Sequence, residues 1–115
     1  GCIVVEGDTY ANDKDLASRI ARAGKFDEWQ VVVLHDDVSV ARSTEKFLWA
    51  TWTRFNPAND IFARNVTVKN SHIGYEAPIV IDARMKPWYP KEVEAADETV
   101  SLVDRRWNEY FPGGV

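Results

Sequence analysis

Two unbroken apolar runs, CIVVE at residues 2–6 and QVVVL at residues 30–34, constrain this chain more than any other feature. Neither run alternates with polar residues. Each therefore reads as a strand covered on both faces, as in parallel sheets. The residues between them supply a crossover. Asn12 or Asp13 can cap a helix, Leu16, Ile20 and several alanines fall on one of its faces, and Gly24 is placed to stop it. Strand, helix and strand in this order make a βαβ unit, with a right-handed crossover expected.

The rest of the chain extends that unit. Ser39 or Ser43 can cap a second helix, with Phe47, Leu48, Thr51, Trp52 and Phe55 on one side and Asn56-Pro57 as its end. Residues 60–68 read as a third strand, residues 69–76 as a polar loop, and residues 78–83 as a fourth strand. A third helix is expected over residues 91–111, with Ala96, Val100, Val103 and Trp107 along its stripe. The expected fold class is α/β: a single layered domain over residues 1–115, with a mixed sheet of about four strands and about three helices. The chain opens directly into a strand without a cap or leader, so a longer functional unit is expected. Its close on Phe111, Pro112 and two glycines reads as a stop after a helix.

Composition narrows the function classes. With 45% apolar residues and five tryptophans among 115 residues, there is ample material for one core. The net charge is −4, and 14 Lys and Arg are scattered among 18 acids, so no dense basic face is available for a nucleic-acid backbone. No apolar run is long enough for a membrane span or a signal-peptide core. The lone cysteine, Cys2, provides no disulfide framework, fits a cytoplasmic setting, and reads as a small buried apolar residue.

Three groups of residues are candidates for chemistry. Glu6, Asp8, His35, Asp36 and Asp37 would emerge together at the carboxyl edge of a parallel sheet, where ligands of open α/β folds bind. They could hold a Mg²⁺-type cation as in a metal-dependent hydrolase, or they could simply cap turns; no spacing there is diagnostic of a metal loop. His35 and His72 lack a recognisable nucleophile partner. Gly7 stands alone after the first strand, so neither a dinucleotide fingerprint nor a P-loop is present. Lys86 is the third candidate. It precedes Pro87, Trp88, Tyr89 and Pro90, a stiff aromatic loop after the fourth strand. It is either a solvated turn lysine or a pinned cation reaching for an anion such as a phosphate oxygen.

Taken in order, VVVLHDDVSV, FLWATWTRFNPANDI and IVIDARMKPWYP resemble the C-terminal region of the UbiD family. These are decarboxylases and carboxylases of aromatic and unsaturated acids that use prenylated flavin mononucleotide. Trp49, Arg54, Asn56, Pro57 and Asp60 fit the family's turn after a helix, and Asp82, Ala83 and Lys86 fit a later Asp-Ala-Thr-x-Lys motif. Departures are His35 for the usual Asp, Ala58-Asn59 for the common Ala-Arg, and Arg84 for the usual threonine. The resemblance covers residues 30–90 well and the flanks loosely. It implies a C-terminal domain whose flavin-binding domain lies elsewhere and carries the catalytic carboxylates and arginine. Prenylated FMN, a divalent metal and K⁺ would be held mainly there. It assigns no catalytic or metal-ligating residue to this chain, and makes Lys86 the one cofactor contact, on the phosphate side. It also implies a domain that closes the active site, and homo-oligomers formed partly through this domain; Trp107, Tyr110 and Phe111, more aromatic surface than one helix end needs, make that helix or the neighbouring surface the expected interface. The alternative is a non-catalytic scaffold subunit of a larger carboxylase.

Overall fold

The computed structural model describes residues 1–89. The expected third helix, and with it Trp107, Tyr110 and Phe111, lies outside the described residues. A four-stranded mixed sheet forms the centre, in the order β1–β2–β6–β3. β1 (Cys2–Glu6) and β2 (Val31–His35) are parallel, with Val4 opposite Val33. β6 (Ile79–Asp82) runs parallel to β2, and β3 (Ile61–Ala63) antiparallel to β6. The α/β class and the parallel βαβ unit thus stand as read from the sequence.

The apolar runs differ in burial because they differ in place. β2 is central, and its alternate residues serve opposite faces of the sheet. Val32 and Leu34 join Val80, Ala17 and Ala21 in the core beneath α1 (Leu16–Arg22). His35 meets Thr51 of α2 (Thr44–Thr53). β1 is an edge strand, so Ile3, Val4 and Val5 are only half-buried and Cys2 is exposed, contrary to its expected burial. The two fully buried alanines of α1 let that helix approach β6 and β3 closely.

The helix ends are only partly as read. Ser43 does cap α2, its hydroxyl accepting from the Lys46 N–H at 3.3 Å. Asp37 caps a short 3₁₀ turn, Val38–Arg42. α1 begins after Asp15, without a side-chain cap. Asp13 is instead drawn into an ion pair with Arg19. Gly24 follows α1 with φ +76°, a left-handed conformation that costs a residue with a Cβ about 1–2 kcal/mol. Gly24→Ala is accordingly expected to lower stability by that amount, read as a lower urea midpoint with an unchanged m-value.

The expected third strand is two separate strands. After Ala63, Arg64 turns aside to pair with Asp27, and Asn65 turns to Glu76. The chain then leaves the main sheet as a hairpin of β4 (Val66–Lys69) and β5 (His72–Tyr75). Asn70 and Ser71 form its two-residue turn, with φ of 52° and 63°. Residues 69–76 are therefore mostly hairpin where a polar loop was expected. The short polar pair between two β-rich tetrads was the available signal.

Candidate functional site

The residues after β6 build a buried ionic cluster at the carboxyl edge of the parallel strands. The backbone first ties this segment to β2. The Ala83 N–H donates to Leu34 O at 2.9 Å, and the Met85 N–H to the Asp36 carboxylate at 3.1 Å. Asp82 ends β6 and accepts from Arg84 twice, Nε at 3.0 Å and Nη2 at 2.9 Å. The third Arg84 nitrogen, Nη1, donates to Asp8 O at 3.0 Å and Asp13 O at 2.6 Å. A fully buried guanidinium thus staples the loop after β1 to the end of β6.

Lys86 turns inward. It is 1% exposed, its Nζ donates to Arg54 O at 2.9 Å and to Asp82 O, and it lies 3.4 Å from the Asp60 carboxylate and 3.8 Å from that of Asp82. The anions met by this pinned cation in the structure belong to the domain itself. The solvated turn lysine is overturned. Proline rigidity in the loop gives no information on which way the lysine side chain points. Burial pushes the Lys86 ammonium below the ordinary lysine range, while Asp82 and Asp60 hold it up. Asp60 is shared, because its carboxylate also accepts from the Asn56 N–H at 2.8 Å and so closes the turn after α2.

Above this cluster sits an aromatic group. The Lys86-to-Tyr89 turn closes through the Tyr89 N–H on Lys86 O at 3.1 Å, with Pro87 in the position where its fixed φ suits a turn. Trp88 stands edge-on to Tyr10, ring centroids 5.4 Å apart, and Tyr10 lies 5.4 Å from the Arg84 guanidinium carbon. Trp88 is largely exposed, while Lys86 and Arg84 beneath it are not.

The acidic edge serves turns. Glu6 accepts from the Val38 N–H, Asp8 from Thr9 and Asn12, and Asp37 from Ser39. Among the described residues, no three or more His, Cys, Asp or Glu side chains converge as metal ligands would. His72 lies on the exposed hairpin, whereas His35 is fully buried.

His35 was singled out in the sequence without its partners. Its Nε2 is 3.0 Å from Thr51 Oγ1, its ring stands edge-on to Phe47, and its Nδ1 has no hydrogen-bond partner among the described residues. We assign the proton to Nε2, because a buried bare acceptor is tolerated better than a buried orphaned N–H. Burial, then the nearby Arg54 cation, lowers the His35 pKa, with Asp36 opposing. A folded-state pKa below the unfolded value means that the unfolded chain binds the extra proton first. Stability is therefore expected to be full above about pH 6.5 and to decline as pH falls from there through the folded-state pKa. His35→Phe, which cannot take up that proton, should flatten this segment of a stability–pH curve; an unchanged slope would refute the assignment.

Of the residues carrying the family resemblance, the fold brings together Arg54, Asp60, Asp82 and Lys86. Trp49 is not among them, lying 63% exposed on the outer side of α2. Arg84 and its staple were not legible beforehand.

Fold and site together define a small α/β domain with a neutralised ionic cluster at its carboxyl edge. No protein-family model matches the chain. It is 40% identical over 113 residues, 97% of its length, to a Chlamydia pneumoniae protein named as a subunit of 4-hydroxybenzoate decarboxylase. It is 39% identical over 113 residues, again 97% of its length, to an uncharacterized protein of Chlamydia trachomatis. The chain spans about a fifth, 19%, of the length of these relatives. No helix among the described residues is long and apolar enough to cross a membrane.

Proposed function

We propose that this chain is the C-terminal domain of a UbiD-like carboxy-lyase that acts on aromatic or unsaturated acids with prenylated FMN. The observation that carries this reading is the meeting of Arg54, Asp60, Asp82 and Lys86, distant in sequence, in one cluster. These are residues on which the family resemblance rests, and the name of the Chlamydia pneumoniae relative supports the same chemistry. The flavin, a divalent metal and K⁺ would be held mainly by a flavin-binding domain or partner subunit outside this chain.

The described residues do not make a phosphate cradle by themselves. Arg84 and Lys86 direct their N–H groups to carboxylates and carbonyls of this domain. No catalytic step is therefore assigned to them. In this proposal the cluster positions the 82–89 loop, and the exposed Trp88 meets the flavin domain when the site closes and excludes water. Direct contact of Lys86 with the cofactor phosphate would require Nζ to leave Asp60, and that contact is the finer part of the proposal.

The test is made on the full-length protein, purified from cells that supply prenylated FMN. Bound cofactor, detected by mass spectrometry, and exchange of labelled bicarbonate into 4-hydroxybenzoate are the expected results. Absence of both would reject the reading. Exchange only after a second polypeptide is added would identify this chain as the scaffold subunit instead. For Lys86, cofactor retention by Lys86→Met is compared with wild type at a temperature where both are folded by circular dichroism. Equal retention would remove the phosphate contact.

A further inference from the structure

The β4–β5 hairpin has two unlike faces. Val66 lies opposite Tyr75 and Val68 opposite Ile73, so these four side chains share one face, because paired residues point the same way and the sides alternate along each strand. Val66, Val68, Ile73 and Tyr75 are 53%, 73%, 60% and 38% exposed. Thr67, Lys69, His72 and Gly74 share the other face. We propose that the apolar face is the docking surface for a neighbouring domain of the same polypeptide, outside residues 1–115, which meets it with an uncharged apolar patch.

Three observations favour that occupant. The first is that the hairpin is aimed. Its base is closed by the Glu76 N–H on Asn65 O at 3.0 Å, and the Arg64–Asp27 ion pair fixes where it leaves the main sheet. A two-stranded hairpin by itself is at best marginally stable in water, yet one held at its base loses little further entropy on docking. The second is the contrast between the faces. On the polar side the Thr67 hydroxyl occupies the space that a side chain at Gly74 would need, since a Cβ there would come within 2.7 Å of it. With Lys69 and His72 beside it, that side suits water. The apolar side carries no charged residue, and a charge placed against it would be buried unpaired, so the patch it meets is uncharged as well.

The third is area. The four side chains expose about 400 Å², roughly half of the 800 Å² that each partner buries in a stable complex of separate molecules. This face alone therefore does not hold a second copy or a free protein. A tethered domain needs less, because linkage raises its effective concentration to about the millimolar range. The chain spans 19% of its Chlamydia relatives, which leaves ample polypeptide in them to supply such a domain.

The docking needs the longer polypeptide of the proposed function but none of its chemistry. Cofactor and bicarbonate exchange test that reading, and crosslinks test this one. In the full-length protein a photoreactive benzoylphenylalanine is placed at Val68 and, in a second variant, at Ile73, both exposed positions outside the core. Irradiation is expected to give crosslinks within a single chain to peptides outside residues 1–115, whereas the same label at Lys69, on the opposite face, gives none of these. Crosslinks to a second polypeptide, crosslinks only within residues 1–115, none at either position, or equal yields from both faces would overturn the proposal. As a second measurement, amides of residues 66–69 and 72–75 should exchange about tenfold or more slower than in the unfolded chain, which an undocked hairpin does not achieve. Exchange closer to the unfolded rate would also overturn it.

Discussion

Asp82→Asn is expected to destabilise the domain by about 3–5 kcal/mol, the cost of breaking a buried ion pair from one side. Asp82 is 1% exposed and serves two buried cations, accepting both arms of Arg84 and lying 3.8 Å from Lys86 Nζ. Asparagine keeps the shape but removes the charge, and offers an N–H₂ where Arg84 already presents a donor. Arg84 then keeps only the carbonyls of Asp8 and Asp13 as full partners, and Lys86 keeps the Asp60 carboxylate as its one anion among the described residues. Since whole domains are stable by only about 5–15 kcal/mol, this is a large fraction of the total. Urea unfolding monitored by tryptophan fluorescence would measure it. A loss below about 1 kcal/mol would mean that solvent reaches the pair and that the cluster is not sealed.

The converse replacement, Lys86→Met, is expected to fall in the same range of about 3–5 kcal/mol, and for the opposite electrostatic reason. Methionine follows the lysine stem, so packing survives, but Asp60 loses its cation, Asp82 keeps only Arg84, and the carbonyls of Arg54 and Asp82 lose a donor. Adding Asp60→Asn to Lys86→Met should recover part of the loss, because the uncompensated charge is removed with its partner. The coupling in that double-mutant cycle is the measurement. Strict additivity would show that Lys86 and Asp60 act separately.

How far the sequence could be read depended on whether a property was local. The parallel pair β1–β2 was legible because unbroken apolar runs and the helical segment between them are properties of adjacent residues. The strand expected at residues 60–68 failed at Arg64, whose partner Asp27 lies in another part of the fold, and at Asn65, which pairs with Glu76 across the base of the hairpin. The side of α2 read as core was misjudged in part, since Thr51 is buried but Leu48 and Trp52 are not. A helical stripe shows which residues share a face, without showing whether anything covers it. At the site, Lys86 was singled out as a cation pinned in a proline-bounded loop and reaching for an anion, and the anions it meets among the described residues are Asp60 and Asp82. Its partners are Asp60, which precedes the strand β3 paired with β6, and the carbonyl of Arg54 at the end of α2, neither of them near it in sequence. Arg84 is the clearest case of a hidden role, since its anchors Asp8 and Asp13 are more than 70 residues away along the chain.

The position of β6 inside the sheet has a consequence for how the molecule is made. β1 and β2 leave a ribosome first and can pair early, yet the open flank of β2 waits for residues 79–82 to complete it. During that interval a nascent half-sheet presents Val31 to Leu34 with a full row of unpaired backbone groups, the kind of template on which chains misassociate. Long-range closure of this sort is slow, because loop entropy is lost before native contacts compensate for it. Among the described residues β6 is the last strand to arrive, and Asp82 at its end, with Arg84 and Lys86 just after it, brings charges that seal the edge. Completion of the sheet and neutralisation of Asp60 and Asp82 therefore become a single late event in the life of the chain.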